Sequence, residues 1–453
     1  MAGLLRAIVG ACILLVAGCA INPPPAPAPT ARCNFVTYEV SAEIPDPSLQ
    51  SRPGTPPPLH QLIDDRLRAA AAAPGAAPPA MLFMSGGSQH GAFGAGVLDE
   101  WRQRAPGGHL PTFQVVTGVS TGSILSTFAF IGDTGPLVGP NGYGITSERQ
   151  LLDPYVEMRD GHAVPLSFVR VAEHGAAASL APLRRSLLGQ MTDDRLAAVR
   201  DGGRSGRLLL VGAVDVDSGG AVAFDLTEMA GRVVETQDSA RREILRGCYV
   251  DAILASSSAP MAAPPVFIDN RMYMDGGARF GMFSDHVTEV LRRQTAIADS
   301  SDRAHVYLLA NNDLTLPPQC GYADRSLCPP APPPAATPPH RAWNLVALGL
   351  RSVDVMENQV YRLSAERIQL QAQVARDRFH FLRLDDGANG FSYRLTDPAL
   401  PPGPGPAVRT CAAWRQADVA IDDPVQFDPR YMHCLIAYGR DRLNAVGWAT
   451  IER

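Results

Sequence analysis

From residue 81 onward, short apolar runs alternate with stretches that have the length and composition of helices. Buried strands that helices cover on both faces typically form such continuous apolar runs. The predicted strands are 81–84, 113–117, 208–216, 305–310 and 379–384, and the predicted helices include 92–102, 124–131, 243–255 and 431–446. This alternation predicts a three-layer α/β/α sandwich around a largely parallel central sheet.

Two local patterns add detail to this fold. The segments 266–268 and 272–274 flank Asp269 and Asn270, which form a two-residue hairpin signal. The segment 343–375 predicts a long helix, because its apolar residues follow one another at steps of three and four or their sum. We expect this apolar row to be the packed face of the helix: Val353, Met356, Val360, Leu363, Leu370 and Val374.

The amino-terminal residues read as a targeting segment. Arg6 precedes an apolar segment, 7–17, that is too short to span a bilayer as a lasting helix, so we predict a signal peptide over 1–18. Cys19 follows small residues in a pattern that resembles a bacterial lipobox, which predicts its lipidation. Because Ala20 follows, we expect routing to the outer membrane, facing the periplasm or exposed at the cell surface. The other interpretation is an ordinary secretory signal with a coincidental cysteine.

Composition divides the rest of the chain. Prolines and alanines dominate 19–79, which predicts an extended tether with one exposed helix at 59–73. The folded domain then covers 80–453, and a proline-rich surface insertion interrupts it at 317–339.

The charged residues exclude several kinds of function. The formal net charge is −5, which does not favour nucleic-acid binding. Every basic side chain other than histidine is an arginine, so a lysine base or Schiff base is excluded. No cysteines and histidines stand at zinc-ligand spacing, and we expect neither a metal nor a cofactor.

The cysteines predict disulfides. Of the 8, Cys12 leaves with the signal and Cys19 is used for lipid, so six remain, an even number in an oxidising compartment. Cys320–Cys328 is the first candidate, because its loop is short and bounded by prolines. Cys411–Cys434 is next, which leaves Cys33–Cys248 by elimination. The sequence leaves other pairings open.

One pentapeptide suggests nucleophilic chemistry. Ser120 stands between Gly118 and Gly122, after a predicted strand and before a predicted helix. Glycines two positions to either side remove side chains that would collide in so sharp a turn. This is the spacing of a nucleophile elbow, although a match of five residues also arises by chance.

A second glycine-rich turn joins the strand at 81–84 to the helix at 92–102. It contains Gly86, Gly87 and Ser88, and such a turn points backbone N–H groups at an anion. It lacks both the G-x-G-x-x-G spacing of a dinucleotide site and the lysine of a P-loop. We therefore interpret it as an oxyanion hole, because a candidate serine nucleophile follows one βα unit later.

A serine nucleophile also needs a base. Histidine is the usual base, yet none of the 10 histidines stands at a glycine-flanked strand end. Asp275 does, since it follows the predicted strand at 272–274 and precedes Gly276 and Gly277. The same sequence is common in turns and helix caps.

The glycine-rich turn, the G-x-S-x-G elbow and the late D-G-G, in this order, resemble the patatin-like phospholipase family. The segments 255–260 and 264–266 are similar to the family's sequence ahead of its D-G-G, and 208–225 is similar to its central strand and hairpin. Phe427-Asp428-Pro429, with Tyr431 and Met432, resembles its closing helix. The resemblance extends from about residue 81 to the end of the chain and implies the patatin-like α/β fold.

The resemblance implies a role for each motif. Ser120 would be the nucleophile and Asp275 its only side-chain partner, in a dyad without a catalytic histidine. Gly86, Gly87 and the amide of Ser88 would form the oxyanion hole. The family usually has glycine where Ser88 stands and arginine or lysine where His90 stands. The Ser88 amide is expected to donate if its backbone angles are ordinary.

We therefore expect a lipid acyl hydrolase or esterase that cleaves phospholipids or related acyl esters through an acyl-enzyme and is held at the membrane by Cys19. One alternative is a general serine carboxylesterase with a histidine-containing triad. Another is a catalytically silent lipoprotein that binds lipids or partners, which the departures at Ser88 and His90 would explain. The sequence makes no prediction of the oligomeric state.

Overall fold

The computed structural model describes most of the chain from residue 33 onward. The described residues are 33–40, 56–71, 79–139, 178–260, 262–284, 287, 303–315, 345–422 and 427–451, together with the strand pieces 153–154, 158–159 and 162–163. The predicted signal peptide, Cys19, the 317–339 insertion and the Cys320–Cys328 pair lie outside them.

The described strands are short, and most of them join one sheet. They are β1 (Thr37–Glu39), β2 (Ala80–Met84), β3 (Phe113–Val119), β4 (Asp153–Pro154), β5 (Met158–Arg159), β6 (His162–Ala163), β7 (Ala178–Ser179), β8 (Leu208–Asp215), β9 (Gly220–Asp225), β10 (Val266–Ile268), β11 (Arg271–Asp275), β12 (His305–Ala310), β13 (Arg378–Arg383), β14 (Ser392–Arg394), β15 (Val408–Thr410) and β16 (Ala449–Ile451).

Along the chain, most of the helices follow or precede strands of this sheet. They are α1 (Leu59–Ala71), α2 (Gly91–Arg104), α3 (Thr121–Ile131), α4 (Gly135–Val138), α5 (Ala181–Gln190), α6 (Asp193–Arg204), α7 (Leu226–Glu235), α8 (Ser239–Ser257), α9 (Leu345–Ala375), α10 (Gly387–Gly390), α11 (Cys411–Asp422) and α12 (Pro429–Val446). Single 3₁₀ turns occur at Ser88–His90, Pro106–Gly108 and Gly276–Ala278.

The central sheet has ten strands. Its main path runs β1-β9-β8-β3-β2-β12-β13-β16, while β11 pairs with β8 and also with β10. The five strands from β8 to β13 along this path run parallel. Antiparallel strands flank them on both sides. The parallel strands therefore place their carboxyl ends at one edge, where β2 and β3 each continue into a glycine-rich turn.

Two apolar cores separate the three layers. Along β2, Leu82 and Met84 face the core that contains α2, α3, α7, α8 and α12. Met81 and Phe83 face the opposite core, which contains α1 and α9. Alternating side chains of one strand thus enter both cores, as expected of a sheet covered on both faces. The predicted α/β/α sandwich is confirmed.

The segment before residue 80 differs from the predicted tether. Helix α1 is not an exposed helix, because Leu59, Ile63 and Leu67 are fully buried in the core beside β2. These residues stand four positions apart and form one apolar stripe. Upstream, β1 pairs with β9. The described parts of 19–79, residues 33–40, 56–71 and 79, are therefore packed on the domain rather than extended away from it.

Two of the predicted disulfides are present. Cys33 bonds to Cys248, and Cys411 bonds to Cys434. The predicted hairpin of β10 and β11 also forms, with Asp269 and Asn270 at positive φ. The Asp269 carboxylate accepts hydrogen bonds from the backbone N–H groups of Cys33 and Asn34, at 2.5 and 2.6 Å. The hairpin and the disulfide together hold the amino-terminal segment.

The packed face of α9 is not the one that the apolar row predicts. The buried side chains are Tyr361, Ser364, Ala365, Ile368 and Ala372. The predicted row instead includes four exposed residues, Met356, Leu363, Leu370 and Val374. The apolar row misses this face because the helix packs closely there. Cβ atoms on Gly86, Gly277 and Gly281 would lie within 2.8 Å of Tyr361, and small residues together with Ile368 fill the rest of the face.

Candidate active site

The two glycine-rich turns lie side by side at the carboxyl edge of the sheet. Met84, the last residue of β2, is in register with Gly118 of β3. A Cβ on Gly122 would stand 2.6 Å from the Met84 carbonyl oxygen, and one on Gly118 would stand 2.4 Å from the Gly122 carbonyl oxygen. Both glycines of the G-x-S-x-G motif are therefore required by close backbone contact.

Ser120 occupies a strained backbone position between β3 and α3. Its φ is 53° and its ψ is −125°, a conformation that non-glycine residues rarely adopt. Its carbonyl oxygen accepts hydrogen bonds from the Ser123 N–H (2.9 Å), the Ser123 hydroxyl (2.6 Å) and the Ser257 hydroxyl (3.0 Å). Its own N–H donates to the Ser256 hydroxyl at 3.0 Å. The neighbouring serines stabilise the elbow.

The three serines at the end of α8 connect the elbow to Asp275. The Ser256 hydroxyl donates to the Gly212 carbonyl on β8 at 2.6 Å. The Ser258 carbonyl accepts the N–H of Asp275 at 3.0 Å. The sequence singled out this segment only by its similarity to a family sequence, and the hydrogen-bonding role of the hydroxyls was missed.

Asp275 lies at the end of β11 and contacts Ser120. Its carboxyl group accepts a hydrogen bond from the Ser120 hydroxyl and one from the Gly277 N–H, the latter at 2.7 Å. Both side chains are buried, with Ser120 8% and Asp275 3% exposed. Burial raises the pKa of Asp275 to about 7, and the negative charge of Glu357 adds to this, while the two hydrogen bonds oppose it.

The turn after β2 lies directly beside this pair. A Cβ on Gly86 would be 2.7 Å from the Ser120 Cβ, and one on Gly87, whose φ is 156°, would be 2.5 Å from the Asn311 carbonyl oxygen. Asn311 fixes the turn, because its N–H donates to the Ser85 hydroxyl at 2.8 Å and its side-chain amide to the Ser85 carbonyl at 2.7 Å. Asn311 follows β12, and no sequence motif identified it.

Ser88 does not have the ordinary backbone angles assumed for it. Its φ is 52°, in the left-handed region that favours glycine. This conformation explains why a glycine would suit the position.

His90 lies next to the same turn but away from the candidate dyad, by which we mean Ser120 and Asp275. Its ring meets the Tyr431 ring edge-on at 6.0 Å. Burial, with help from the charge of Arg415, lowers the pKa of His90 to about 4, so the ring is neutral at neutral pH. The turn is anchored instead by Gln89, whose side chain exchanges two hydrogen bonds with Asp428, at 3.0 and 3.1 Å.

Histidine does not partner the candidate dyad among the residues that the structure describes. The groups that act on Asp275 are Ser120, Gly277 and Glu357. His305 and His380 stack on each other, and their ring nitrogens are 2.9 Å apart in β12 and β13. Nor do the described histidines, cysteines and carboxylates gather in threes at a spacing that would hold a metal ion.

Tyr361 and Glu357 of α9 complete the surroundings of the dyad, and no sequence pattern pointed to either. Tyr361 is buried, and its hydroxyl oxygen would be 2.1 Å from a Cβ on Gly86 and 2.8 Å from one on Gly277. The phenol thus lies between the turn that contains Gly86 and the turn after β11 that contains Gly277. Its hydroxyl donates to the Glu357 carboxylate, and burial together with the charges of Asp275 and Glu357 raises the pKa of Tyr361. The phenol stays protonated.

Part of the chain is similar to a known family. Residues 82–283 match the family model described as patatin-like phospholipase. Two solved structures also match: VipD from Legionella pneumophila, with 12% identity and a TM-score of 0.25, and human GIVD cytosolic phospholipase A2, with 12% identity and a TM-score of 0.35. The first match covers 51% of this chain and 50% of VipD; the second covers 85% of this chain and 62% of the human protein. No curated protein sequence matches the chain.

Proposed function

We propose that this protein hydrolyses carboxylic esters of phospholipids or related acyl lipids through a dyad of Ser120 and Asp275, and the match of residues 82–283 to the patatin-like phospholipase model supports the proposal. The observation that carries the proposal is the hydrogen bond between the Ser120 hydroxyl and the buried Asp275 carboxyl group, formed at a strained elbow beside a glycine turn. A nucleophile in direct contact with its base is the arrangement that acyl transfer needs.

The first half of the reaction forms an acyl-enzyme. The Asp275 carboxylate takes the proton of the Ser120 hydroxyl while the serine oxygen attacks the ester carbonyl carbon. The backbone N–H groups of the turn at Gly86 and Gly87 stabilise the negative oxygen of the tetrahedral intermediate. When that intermediate collapses, the ester C–O bond breaks, and Asp275 gives its proton to the leaving alcohol.

The second half repeats these steps with water. Asp275 accepts a proton from water while the water oxygen attacks the acyl carbon. Asp275 then returns that proton to the Ser120 oxygen, which restores the serine hydroxyl as the fatty acid leaves. A pKa of about 7 suits both directions of proton transfer near neutral pH, whereas an ordinary aspartate would be a weak base.

The location of the protein belongs to the same proposal. Lipidation of Cys19, at the end of the predicted signal peptide, would hold the domain at the outer membrane next to phospholipid substrate. Within the described residues, no helix has both the length and the apolar character to cross a bilayer.

A fluorophosphonate probe tests the nucleophile. We expect the full-length chain to be labelled, and we expect Ser120→Ala to abolish the labelling and to lower ester hydrolysis by at least about 10³-fold. Ser392→Ala, at an exposed serine on β14, is the matched control and should be labelled normally. Labelling that persists in Ser120→Ala would refute the assignment of the nucleophile.

Asp275→Asn separates the dyad from a histidine triad. The dyad requires a large loss of hydrolysis in this variant, because the amide cannot accept the serine proton. A variant that keeps most of its activity would favour the triad esterase, and a native protein that is neither labelled nor active would favour a silent binding protein.

A further inference from the structure

Helix α9 has two faces of different character. Its inner face packs on the core through Tyr361, Ala365, Ile368 and Ala372. Its outer face carries four apolar side chains in open solvent: Met356, Leu363, Leu370 and Val374 are 61%, 52%, 60% and 79% exposed. At 100° per residue these four fall within an arc of about 40° and extend over about 27 Å of the helix. An exposed apolar row of this kind marks an interaction surface.

A groove of about 290 Å³ borders the same helix. Its apolar lining includes Leu314, Phe379 and Phe381, and its charged lining residues are Arg362, Glu366 and Arg383. Arg383 is paired with Asp313, whereas Arg362 is half exposed and 3.9 Å from Glu366. Arg362 directly precedes Leu363 of the apolar row. Apolar side chains next to guanidinium groups fit an amphiphile with an apolar chain and a phosphate head, because arginine binds phosphate oxygens through several N–H groups.

The size of the apolar row argues against a second copy of the chain as its occupant. A stable interface between proteins buries about 800 Å² on each partner, and one row of four side chains on a single helix offers less. A membrane surface has no such requirement, since shallow insertion of a few apolar side chains, with cationic groups beside them, is enough for reversible binding.

We propose that the outer face of α9, which we define as Met356, Leu363, Leu370 and Val374, docks onto a phospholipid bilayer, with the half-exposed Arg362 facing its phosphate groups. The role of this docking in catalysis rests on the proposed function. The opposite face of α9 places Tyr361 between Gly86 and Gly277, so docking brings the bilayer surface within about one helix diameter, 10–12 Å, of the candidate dyad.

Vesicle binding tests the docking surface. The chain is prepared without the predicted signal peptide, 1–18, and with Cys19→Ser in every case, so that neither the apolar signal segment nor a lipid anchor contributes. Vesicles contain phosphatidylethanolamine and phosphatidylglycerol, and binding is measured by co-sedimentation. We expect Leu363→Gln with Leu370→Gln to weaken binding by roughly tenfold or more, since two half-exposed leucines lose their transfer into lipid. The matched control, Val419→Gln with Val446→Gln, changes two equally exposed side chains on α11 and α12 and should bind as before.

Each outcome decides one proposal. Failure of the parent chain to bind vesicles, or equal binding by both double variants, overturns the docking surface. A parent chain that is dimeric by light scattering, and monomeric after the leucine changes, assigns the face to a second copy instead. Fluorophosphonate labelling of the parent chain is measured separately. A labelled chain that does not bind vesicles leaves the proposed function standing, and an unlabelled chain that binds them leaves only the docking surface.

Discussion

At the scale of single residues, the burial of Asp275 sets the pH at which the proposed reaction can run. Only the carboxylate form accepts the Ser120 proton, and burial raises the pKa of Asp275 to about 7. We therefore expect kcat/KM to fall about tenfold per pH unit below that value and to level off above it. The measurement is hydrolysis of a soluble ester across pH 5 to 9. A profile that stays flat down to pH 5 would contradict the assignment.

The same burial means that the charged form of Asp275 destabilises the folded chain at high pH. The pKa in the folded chain lies above the unfolded value of 3.8, so the stabilisation that comes from the protonated form is present at low pH and is lost as pH rises towards 7. The amide that replaces the carboxyl group in Asp275→Asn carries no charge at any pH. At pH 8 the free energy of unfolding of this variant, measured by denaturant titration, should therefore exceed that of the native chain by up to a few kcal/mol. The difference should shrink at pH 4.

Ser88 offers a test of backbone strain. Because its φ is 52°, a glycine there would relieve a left-handed conformation that costs about 1 kcal/mol. We expect Ser88→Gly to raise the free energy of unfolding by about that amount and to keep the turn at Gly86 and Gly87 intact. Ser88→Ala is the control, since it retains the strain and removes the hydroxyl. A loss of stability in Ser88→Gly would mean that the serine side chain contributes more than the strain costs.

At the scale of elements, helix α9 supports the candidate site although it contains none of the recognised motifs. The Tyr361 hydroxyl contacts the surroundings of Gly86 and Gly277 and donates to Glu357. Tyr361→Phe keeps the ring but removes this hydrogen bond, and we expect kcat to fall by roughly tenfold with little change in KM. Tyr438→Phe is a matched control, because the Tyr438 hydroxyl also donates to a carboxylate, that of Asp385. Equal effects in the two variants would argue against a positioning role.

The elements divide into those that the sequence could predict and those that it could not. The strands around Ser120 follow from apolar runs, because a strand buried on both faces needs nothing else to identify it. The inner face of α9 could not be found this way, because its buried Tyr361 and Ser364 pack on Gly281, and hydropathy does not record such a close contact. The sequence did not identify Asn311 or the Ser256 hydroxyl for a related reason, since each acts through a backbone contact with a distant part of the chain.

The amino-terminal helix shows the same limit from the other direction. Prolines at 53–58 and 74–79 predict irregular chain, and the composition of the whole segment hides the stripe of Leu59, Ile63 and Leu67 between them. Those three side chains are buried beside β2. A composition rule averages over a segment, whereas burial depends on three positions four residues apart.

At the scale of the whole molecule, the two disulfides close loops of very different length. Cys33–Cys248 spans 215 residues and Cys411–Cys434 spans 23. The longer cross-link restricts the unfolded chain more, and the difference in loop-closure entropy corresponds to about 2 kcal/mol. The longer one also ties the segment before β1 to α8, the helix whose last turn holds the Ser120 elbow.

Replacing each pair by serines therefore predicts unequal losses. Cys33→Ser with Cys248→Ser should lower the free energy of unfolding by more than Cys411→Ser with Cys434→Ser, with the difference near ~2 kcal/mol in denaturant titrations. Fluorophosphonate labelling of Ser120 gives a second readout. We expect it to fall only when the first pair is replaced, because only that pair is joined through α8 to Ser256 and Ser257. Equal losses of stability would mean that the amino-terminal segment stays docked without its covalent link, held by β1 pairing and the buried face of α1.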